Sequence, residues 1–227
     1  MTASATTGAF APAHIIELLG RPGFAVLPAQ AQGIADYLNL LLHWNRRISL
    51  TSITDPEQII VRHVGESLFG ARVARIESGT LLDIGSGAGF PALPIALFFP
   101  GIQEVLLEPN VKKAAFLAEA SRMLQVAPRV KIQRERLEAF YPAGLRFDFI
   151  TCRAVRLSSA FLEHCQRLLS LNGNLVLWIG QADAESVRRM GGWTWSEPSK
   201  IPESERRVIL CGTPAATQID VPRETFP

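Results

Sequence analysis

The sequence predicts an α/β protein with a mostly parallel sheet, preceded by an N-terminal helical region. From residue 80 onward, short apolar segments alternate with stretches of helical length, which is the pattern of repeated βαβ units. Before that point, apolar residues recur at the spacing of amphipathic helices. We therefore expect a helical region over residues 1–75 and a doubly wound α/β domain over residues 76–227.

Three helices are predicted in the N-terminal region. Pro12 and Gly20 bracket the first, and Pro28 opens a second, longer one. The third begins after Asp55, a suitable N-cap, and continues to about residue 73. The second helix carries an apolar stripe formed by Ile34, Tyr37, Leu38, Leu41 and Leu42.

Five strands and two intervening helices are indicated in the second region. The strand candidates, in chain order, are "TLLDI", "QEVLLE", "RVKIQR", "FDFIT" and "NLVLWI". Helical spacing covers residues 111–124 and 158–169. The segments "WTWS" and "RRVILC" follow without a helix between them, so we predict a C-terminal antiparallel hairpin at the edge of the sheet.

Length and composition are those of a folded globular protein. Of the 227 residues, 48% are hydrophobic and 19% are charged, which permits a substantial core. The start, "MTASATTGAF", lacks the basic and apolar segments of a signal peptide. Cys152, Cys165 and Cys211 are widely spaced, so we expect thiols rather than disulfides or metal ligands. These features predict a cytoplasmic protein with no membrane span and no bound metal.

A glycine-rich loop, "LLDIGSGAGFPALP", follows the first predicted strand. Gly85, Gly87 and Gly89 leave a backbone that a ligand can approach closely. A dinucleotide fingerprint needs its third glycine where Phe90 stands, and a phosphate loop needs a lysine that this loop lacks. Glu108 ends the second strand, where a carboxylate can accept both hydroxyls of a ribose. The pattern therefore favours a nucleoside cofactor, with an ordinary tight turn as the alternative.

The motifs taken together resemble a known family. The pattern from Asp83 through Gly89 resembles the first motif of class I S-adenosylmethionine-dependent methyltransferases. Over about residues 34–211 the chain resembles the RsmG family of bacterial 16S ribosomal RNA guanine-N7 methyltransferases, also called glucose-inhibited division protein B, or GidB. The segments that carry this resemblance are "WNRRISLTSITDPEQIIVRHVGES", "LLDIGSGAGFPALP", "LLEPNVKKAAFL", "RLE" and "TCRAV".

The resemblance implies a Rossmann-like class I methyltransferase fold that binds S-adenosyl-L-methionine. It also implies that the substrate is a guanine N7 of 16S rRNA in the small ribosomal subunit, and we expect a monomer that binds neither DNA nor a membrane. The family's cofactor contacts, together with the general methyltransferase positions, fall on Asp83, Gly85, Gly87, Gly89, Phe90, Glu108, Leu137, Glu138 and Arg153.

The chain departs from the family pattern at several positions. Four lie in or near the motifs, and they are Ser49, Glu66, Ala92 and the pair Glu108 and Pro109. The fifth is Ile179, which stands where the family has a lysine before Gly180. Two alternatives therefore remain open, a cofactor-binding relative that has lost methyl transfer and a small-molecule methyltransferase.

The chemistry of guanine N7 explains the absence of an obvious acid–base pair. N7 carries a free lone pair and attacks a methyl group without first losing a proton, so the protein mainly positions the reactants. Methylation of an exocyclic amine would predict an Asn/Asp-Pro-Pro-aromatic motif after the fourth strand, where the chain has "TCRAV". Cys152 in that segment is the candidate nucleophile of a cytosine-C5 alternative, and packing at the strand end is the simpler interpretation.

Candidate RNA contacts lie on the third helix. Arg62, His63 and Ser67 interrupt a core-facing stripe, so they are candidates for lining a cleft that receives a guanine or its phosphate. A core histidine with satisfied hydrogen bonds is the alternative for His63. The formal net charge is only +2, so RNA binding must depend on a local patch. The candidate basic rim consists of Arg46, Arg47, Arg62, Lys112 and Lys113.

Overall fold

The computed structural model describes residues 10–142, 144–153 and 157–215. Its α-helices are α1 Pro12–Gly20, α2 Pro28–Asn45, α3 Pro56–Ile59, α4 Glu66–Val73, α5 Ala92–Phe98, α6 Val111–Met123, α7 Ser159–Leu168 and α8 Gln181–Arg188. Its strands are β1 Ser78–Ile84, β2 Gly101–Leu107, β3 Val130–Gln133, β4 Phe147–Arg153, β5 Leu169–Gly180, β6 Trp193–Trp195, β7 Ser199–Lys200 and β8 Arg207–Pro214.

One mixed sheet organises the described part of the chain. The strand order is β3-β2-β1-β4-β5-β8-β6, with β7 paired to β8. Strands β1 to β5 are parallel to one another, whereas β8 is antiparallel to β5, β6 and β7. This arrangement confirms the predicted α/β class and the antiparallel C-terminal edge. The chain reverses its direction of winding between β1 and β4, so the carboxyl ends of these two strands form the expected ligand-binding edge.

Local sequence signals locate the N-terminal helices correctly. Pro12 and Pro28 open α1 and α2, and the Asp55 side chain accepts a hydrogen bond of 2.9 Å from the Gln58 backbone N–H at the start of α3. The predicted third helix differs in one respect, because Ile60–Gly65 forms a π-helical turn between α3 and α4. π-Helical turns are rare, and they occur frequently at functional sites.

The N-terminal helices share a core with the sheet. One cluster of buried apolar side chains joins α1, α2 and the π-helical turn to α5 and α6 on one face of the sheet. A second cluster packs α7 and α8 against the other face. The predicted domain boundary between residues 75 and 76 stays a prediction. The N-terminal helices share their buried apolar cluster with α5 and α6 of the second region.

Within the described residues, no helix is long and apolar enough to cross a membrane. All three cysteines lie in the described part of the chain, where they are buried and form no disulfide. Burial raises the pKa of the Cys211 thiol to about 11, so this thiol is protonated near neutral pH.

Candidate functional site

The glycine loop is fixed to the carboxyl end of the sheet by backbone hydrogen bonds. The N–H groups of Gly85 and Ser86 donate to the Leu107 carbonyl at the end of β2, at 2.9 and 3.1 Å. Gly85, Gly87 and Gly89 have φ values of 71°, 55° and 89°, a region that L side chains rarely adopt. The loop therefore needs its glycines for backbone conformation as well as for ligand access.

A buried tyrosine supports this loop from the N-terminal region. The Tyr37 hydroxyl on α2 donates a hydrogen bond of 2.5 Å to the Ala88 carbonyl. At Gly89, an added Cβ would lie 2.6 Å from Leu93 Cδ1 and 3.0 Å from the Tyr37 hydroxyl. Sequence reasoning placed Tyr37 on an apolar stripe and missed this contact, although a buried phenolic hydroxyl requires a partner.

Two buried carboxylates flank the loop. Asp83 on β1 accepts a hydrogen bond of 2.7 Å from the Thr151 hydroxyl at Oδ1, while its Oδ2 has no partner among the described residues. Burial raises the pKa of Asp83 to about 6. Glu108 accepts from the Gly87 N–H at 2.9 Å and from the Asn110 N–H at 2.8 Å. Each carboxylate oxygen of Glu108 keeps a further lone pair that can accept a ligand hydroxyl.

A cleft of about 310 Å³ opens beside the loop at the carboxyl ends of the strands. Leu137 begins a short 3₁₀ turn after β3 and is buried, whereas Glu138 is exposed. The residues that line the cleft are Ile84, Gly85, Leu107, Pro109, Glu135, Arg136, Leu137, Glu138, Ser158, Ala160, Phe161 and His164. The structure thus brings Gly85, Leu137 and Glu138 to one cavity, whereas the other predicted cofactor contacts do not line it.

The residues around the cleft fit S-adenosylmethionine. Leu137 and Phe161 offer apolar surface to a base, and Glu108 can accept ribose hydroxyls. At Gly87 an added Cβ would meet no protein atom nearer than the Gly85 carbonyl oxygen, at 3.7 Å, so the backbone faces open space. Arg153 Nη1 is buried without a partner among the described residues and can pair with a ligand carboxylate.

The π-helical turn brings His63 against the glycine loop. The His63 ring stacks on Phe90 with 4.6 Å between ring centroids and 19° between planes. Its Nε2 lies 2.8 Å from the Thr51 hydroxyl. Ser67 is fully buried, and its hydroxyl donates to the His63 carbonyl, so the structure places it beneath the surface. Arg62 is half-buried, and its Nε has no partner among the described residues.

Arginines from three elements surround Glu66 at the start of α4. Arg153 Nη2 donates to the Arg62 carbonyl at 2.9 Å and to Glu66 Oε2 at 3.1 Å. Arg207 Nη2 on β8 lies 2.7 Å from Glu66 Oε1, and Trp178 Nε1 donates to the Glu66 carbonyl at 2.8 Å. Burial raises the pKa of the Glu66 carboxyl, although the surrounding guanidiniums act in the opposite direction. Sequence reasoning missed Arg207 and Trp178, because nothing local relates these residues to Glu66.

The predicted basic rim is distributed over two places. Arg47 and Lys112 line one groove of about 450 Å³, together with His43, Trp44, Ile48 and the acidic Glu119. Arg62 lies instead beside Glu66, as described above. The groove thus combines two cationic side chains with one carboxylate, between the end of α2 and α6.

Ile179, where the family has a lysine, is set apart from this arrangement. The side chain of Ile179 packs with the core cluster that contains α7, whereas the preceding Trp178 faces Glu66 on the opposite side of β5. A lysine at position 179 would therefore point away from the arginines around Glu66. In the "TCRAV" segment, Ala154 and Val155 lie outside the described residues.

The stability of the protein is expected to depend on pH through His63. Burial, followed by the charges of Arg153 and Arg62, lowers the pKa of His63 from 6.5 to about 3. The folded state binds a proton at His63 less readily than the unfolded state does. The stability linked to neutral His63 is therefore fully present above pH 6.5 and is lost as the pH falls toward 3. In that window His63 contributes a slope of about 1.4 kcal/mol per pH unit to the free energy of unfolding.

The measurement is denaturant unfolding of the wild type and of His63→Gln between pH 4 and pH 7. The variant keeps a hydrogen-bonding side chain but cannot take up the proton, so its unfolding free energy should vary less steeply over this range. Equal slopes in the two proteins would contradict the assignment.

Comparisons with known proteins agree with this geometry. A family described as GidB, rRNA small subunit methyltransferase G, matches residues 30–195. The ribosomal RNA small subunit methyltransferase G of Xanthomonas euvesicatoria pv. vesicatoria (strain 85-10) is 35% identical over 188 residues, which are 80% of this chain and 86% of that protein. The protein of the same name from Stenotrophomonas maltophilia (strain K279a) is 34% identical over 82% of this chain and 88% of its own length.

A solved structure supports the fold. A putative O-methyltransferase from Klebsiella pneumoniae superposes with a TM-score of 0.60 at 13% identity, over 89% of this chain and 97% of that one. At this identity the likeness concerns the fold alone, while the sequence matches identify the family. The chain belongs to the rRNA small subunit methyltransferase G family.

Proposed function

We propose that this protein transfers the methyl group of S-adenosylmethionine to N7 of a guanine in 16S rRNA. Family membership supports the ribosomal RNA substrate. The observation that carries the proposal is the hydrogen bond from Gly87 N–H to Glu108, which joins the glycine loop to the carboxylate that would bind the ribose. The direct experiment is transfer of a labelled methyl group to small ribosomal subunits.

The residues of the site bind and position rather than exchange protons. Bound S-adenosylmethionine supplies an electrophilic methyl group on a sulfonium. Guanine N7 attacks with its own lone pair, so the chain needs no general base there, and His63, with its pKa lowered to about 3, stays neutral. The His63 ring, stacked on Phe90 beside the glycine loop, offers an aromatic surface against which an unstacked guanine can bind.

The RNA-side assignment predicts a separation between methyl transfer and cofactor binding. Replacing Arg62 with glutamine is expected to lower methyl transfer to ribosomal subunits roughly tenfold or more, because a charge-assisted contact is lost. S-Adenosylmethionine affinity should change much less, because Arg62 does not line the cofactor cleft. Transfer rates and calorimetric affinities of both proteins give the two quantities. The same separation is expected for His63→Gln, and equal losses of both quantities would place the residues on the cofactor side or in the core.

A second prediction concerns Cys152, which is not expected to act as a nucleophile. Cys152 is only 2% exposed and packs in the core cluster around α7. N7 methylation needs no covalent enzyme intermediate, so Cys152→Ser should retain methyl transfer within a few-fold. Transfer kinetics and cofactor binding are measured together. Complete loss of transfer with fold and cofactor affinity intact would revive the cysteine-nucleophile alternative.

The partner and setting follow from the substrate. We propose that the protein acts as a cytoplasmic monomer on the small ribosomal subunit. The groove that contains Arg47 and Lys112 offers positive charge to the phosphate backbone. A preorganised loop is the favoured substrate, because extruding a guanine from a stack costs a few kcal/mol.

A further inference from the structure

The arginines around Glu66 extend from the cofactor cleft toward the opposite half of the sheet. Arg153 ends β4, next to β1 and its glycine loop. Arg207 begins β8, where it pairs in register with Gly180 at the carboxyl end of β5. The side chain of Arg207 is 28% exposed, so the cluster reaches solvent on the β5 and β8 side.

The cluster carries more positive charge than the described residues compensate. Arg62, Arg153 and Arg207 all interact electrostatically with Glu66, which is the one carboxylate in reach of an ion pair among the described residues. Even with Arg153 assigned to the cofactor, Arg62 and Arg207 share a single negative charge. Burial lowers the pKa of Arg153, Arg207 and Arg62 lower it further, and the carboxylates of Glu66 and Asp83 act in the opposite direction.

Two donors in this cluster are buried without a partner among the described residues, and one of them, Arg153 Nη1, is already assigned to the cofactor carboxylate. Arg62 Nε makes no hydrogen bond to any described residue. A buried cationic donor without a partner is costly, and an oxyanion is the ligand that a guanidinium binds best. The arginine cluster around Glu66 can therefore bind one more anionic group, through its positive charge and the free Nε–H of Arg62.

The position of the cluster indicates which anion it receives. Glu108 and Leu137 lie on the β2 and β3 side of the switch point, so the nucleoside part of the cofactor occupies that half. The β5 and β8 half is left for the second substrate. The His63 ring stacks on Phe90 of the glycine loop and interacts electrostatically with Arg207. A nucleotide whose base reaches His63 carries its phosphate a short distance away.

We propose that Arg207, together with Arg62, forms a subsite for an RNA phosphate adjacent to the guanine that is methylated. The inference rests on the proposed function, since it presumes a nucleotide substrate. Arg207 is thereby a substrate-binding residue on the C-terminal hairpin, outside the glycine loop and the basic rim.

The test compares guanosine 5′-monophosphate with guanosine as probes, using protein saturated with S-adenosylhomocysteine. The wild type is expected to bind the monophosphate roughly tenfold more tightly than the nucleoside, as for a hydrogen-bonded charge pair. Arg207→Gln should lose most of this ratio, and Arg207→Lys should keep part of it. Arg206→Gln is the matched control, because it removes the same charge from the exposed neighbouring residue and should keep the full ratio.

Three outcomes are informative. A wild type without preference for the monophosphate would overturn the proposal, as would an Arg207→Gln variant that keeps the ratio but binds S-adenosylhomocysteine more weakly. The latter result would assign the cluster to the cofactor carboxylate. A preference for the monophosphate that the wild type shows and Arg207→Gln lacks supports the phosphate subsite. It does so even if no methyl group reaches ribosomal RNA, a result that would count against the proposed function alone. Thermal unfolding of each variant verifies that it is folded.

Discussion

Replacing Gly87 with valine is expected to weaken cofactor binding strongly while leaving the protein folded. Gly87 has a φ of 55°, which a β-branched residue adopts only with strain, and its N–H donates to Glu108. The new side chain would project into open space beside the loop rather than into the core. We expect S-adenosylmethionine affinity to fall at least about tenfold, equivalent to 1.4 kcal/mol, and methyl transfer to fall with it. Calorimetry on the folded variant measures the affinity.

Gly144→Val is the matched control for this change. Gly144 also has a positive φ, 70°, and an added Cβ there would meet no atom within 4 Å. It precedes β4 at the amino-terminal edge of the sheet, away from the cleft. Both variants therefore carry similar backbone strain, and only Gly87→Val should lose cofactor affinity. Equal affinities in the two variants would move the cofactor away from the glycine loop.

Replacing Gly70 with alanine is expected to destabilise the fold strongly. A Cβ at Gly70 on α4 would lie 2.1 Å from Trp178 Cζ2, which is far inside van der Waals contact. The indole is rigid and buried, and its Nε1 donates to the Glu66 carbonyl, so it cannot move aside without losing this bond. We expect the free energy of unfolding to fall by about 3 kcal/mol, the upper range for overpacking in a core. Urea unfolding of the two proteins gives this difference.

Gly20→Ala serves as the control for helix propensity. Gly20 ends α1, and an added Cβ there would meet no atom within 4 Å. This substitution is expected to be neutral or slightly stabilising, because alanine favours the helix over glycine. A Gly70→Ala variant as stable as Gly20→Ala would show that Trp178 does not pack tightly on α4.

The sequence predicts those features that depend on local chemistry. Asp55 followed by Pro56 predicts the start of α3, and the alternation of apolar segments predicts the parallel strands. The positions around the cleft follow from strand ends, because carboxyl ends of parallel strands meet at one edge. The sequence therefore places Gly85 and Glu108 together, whereas only the family resemblance adds Leu137.

Features that depend on distant contacts could not be predicted. Arg207 and Trp178 reach Glu66 from strands far along the chain, and no spacing rule connects them. The π-helical turn differs from the flanking α-helices in its backbone hydrogen bonds, which the residue pattern does not reveal. The short helix α8 has only Ala184 and Val187 buried, so its apolar signal is weak.

The most direct test of the central claim maps N7-methylguanine in 16S rRNA after small ribosomal subunits lacking the modification are incubated with this protein and S-adenosylmethionine. The account predicts that a guanine acquires the N7 methyl group with the wild type and not with Gly87→Val. A wild type that binds the cofactor but leaves every guanine N7 unmethylated, or that methylates an exocyclic amine or a cytosine C5 instead, would contradict it.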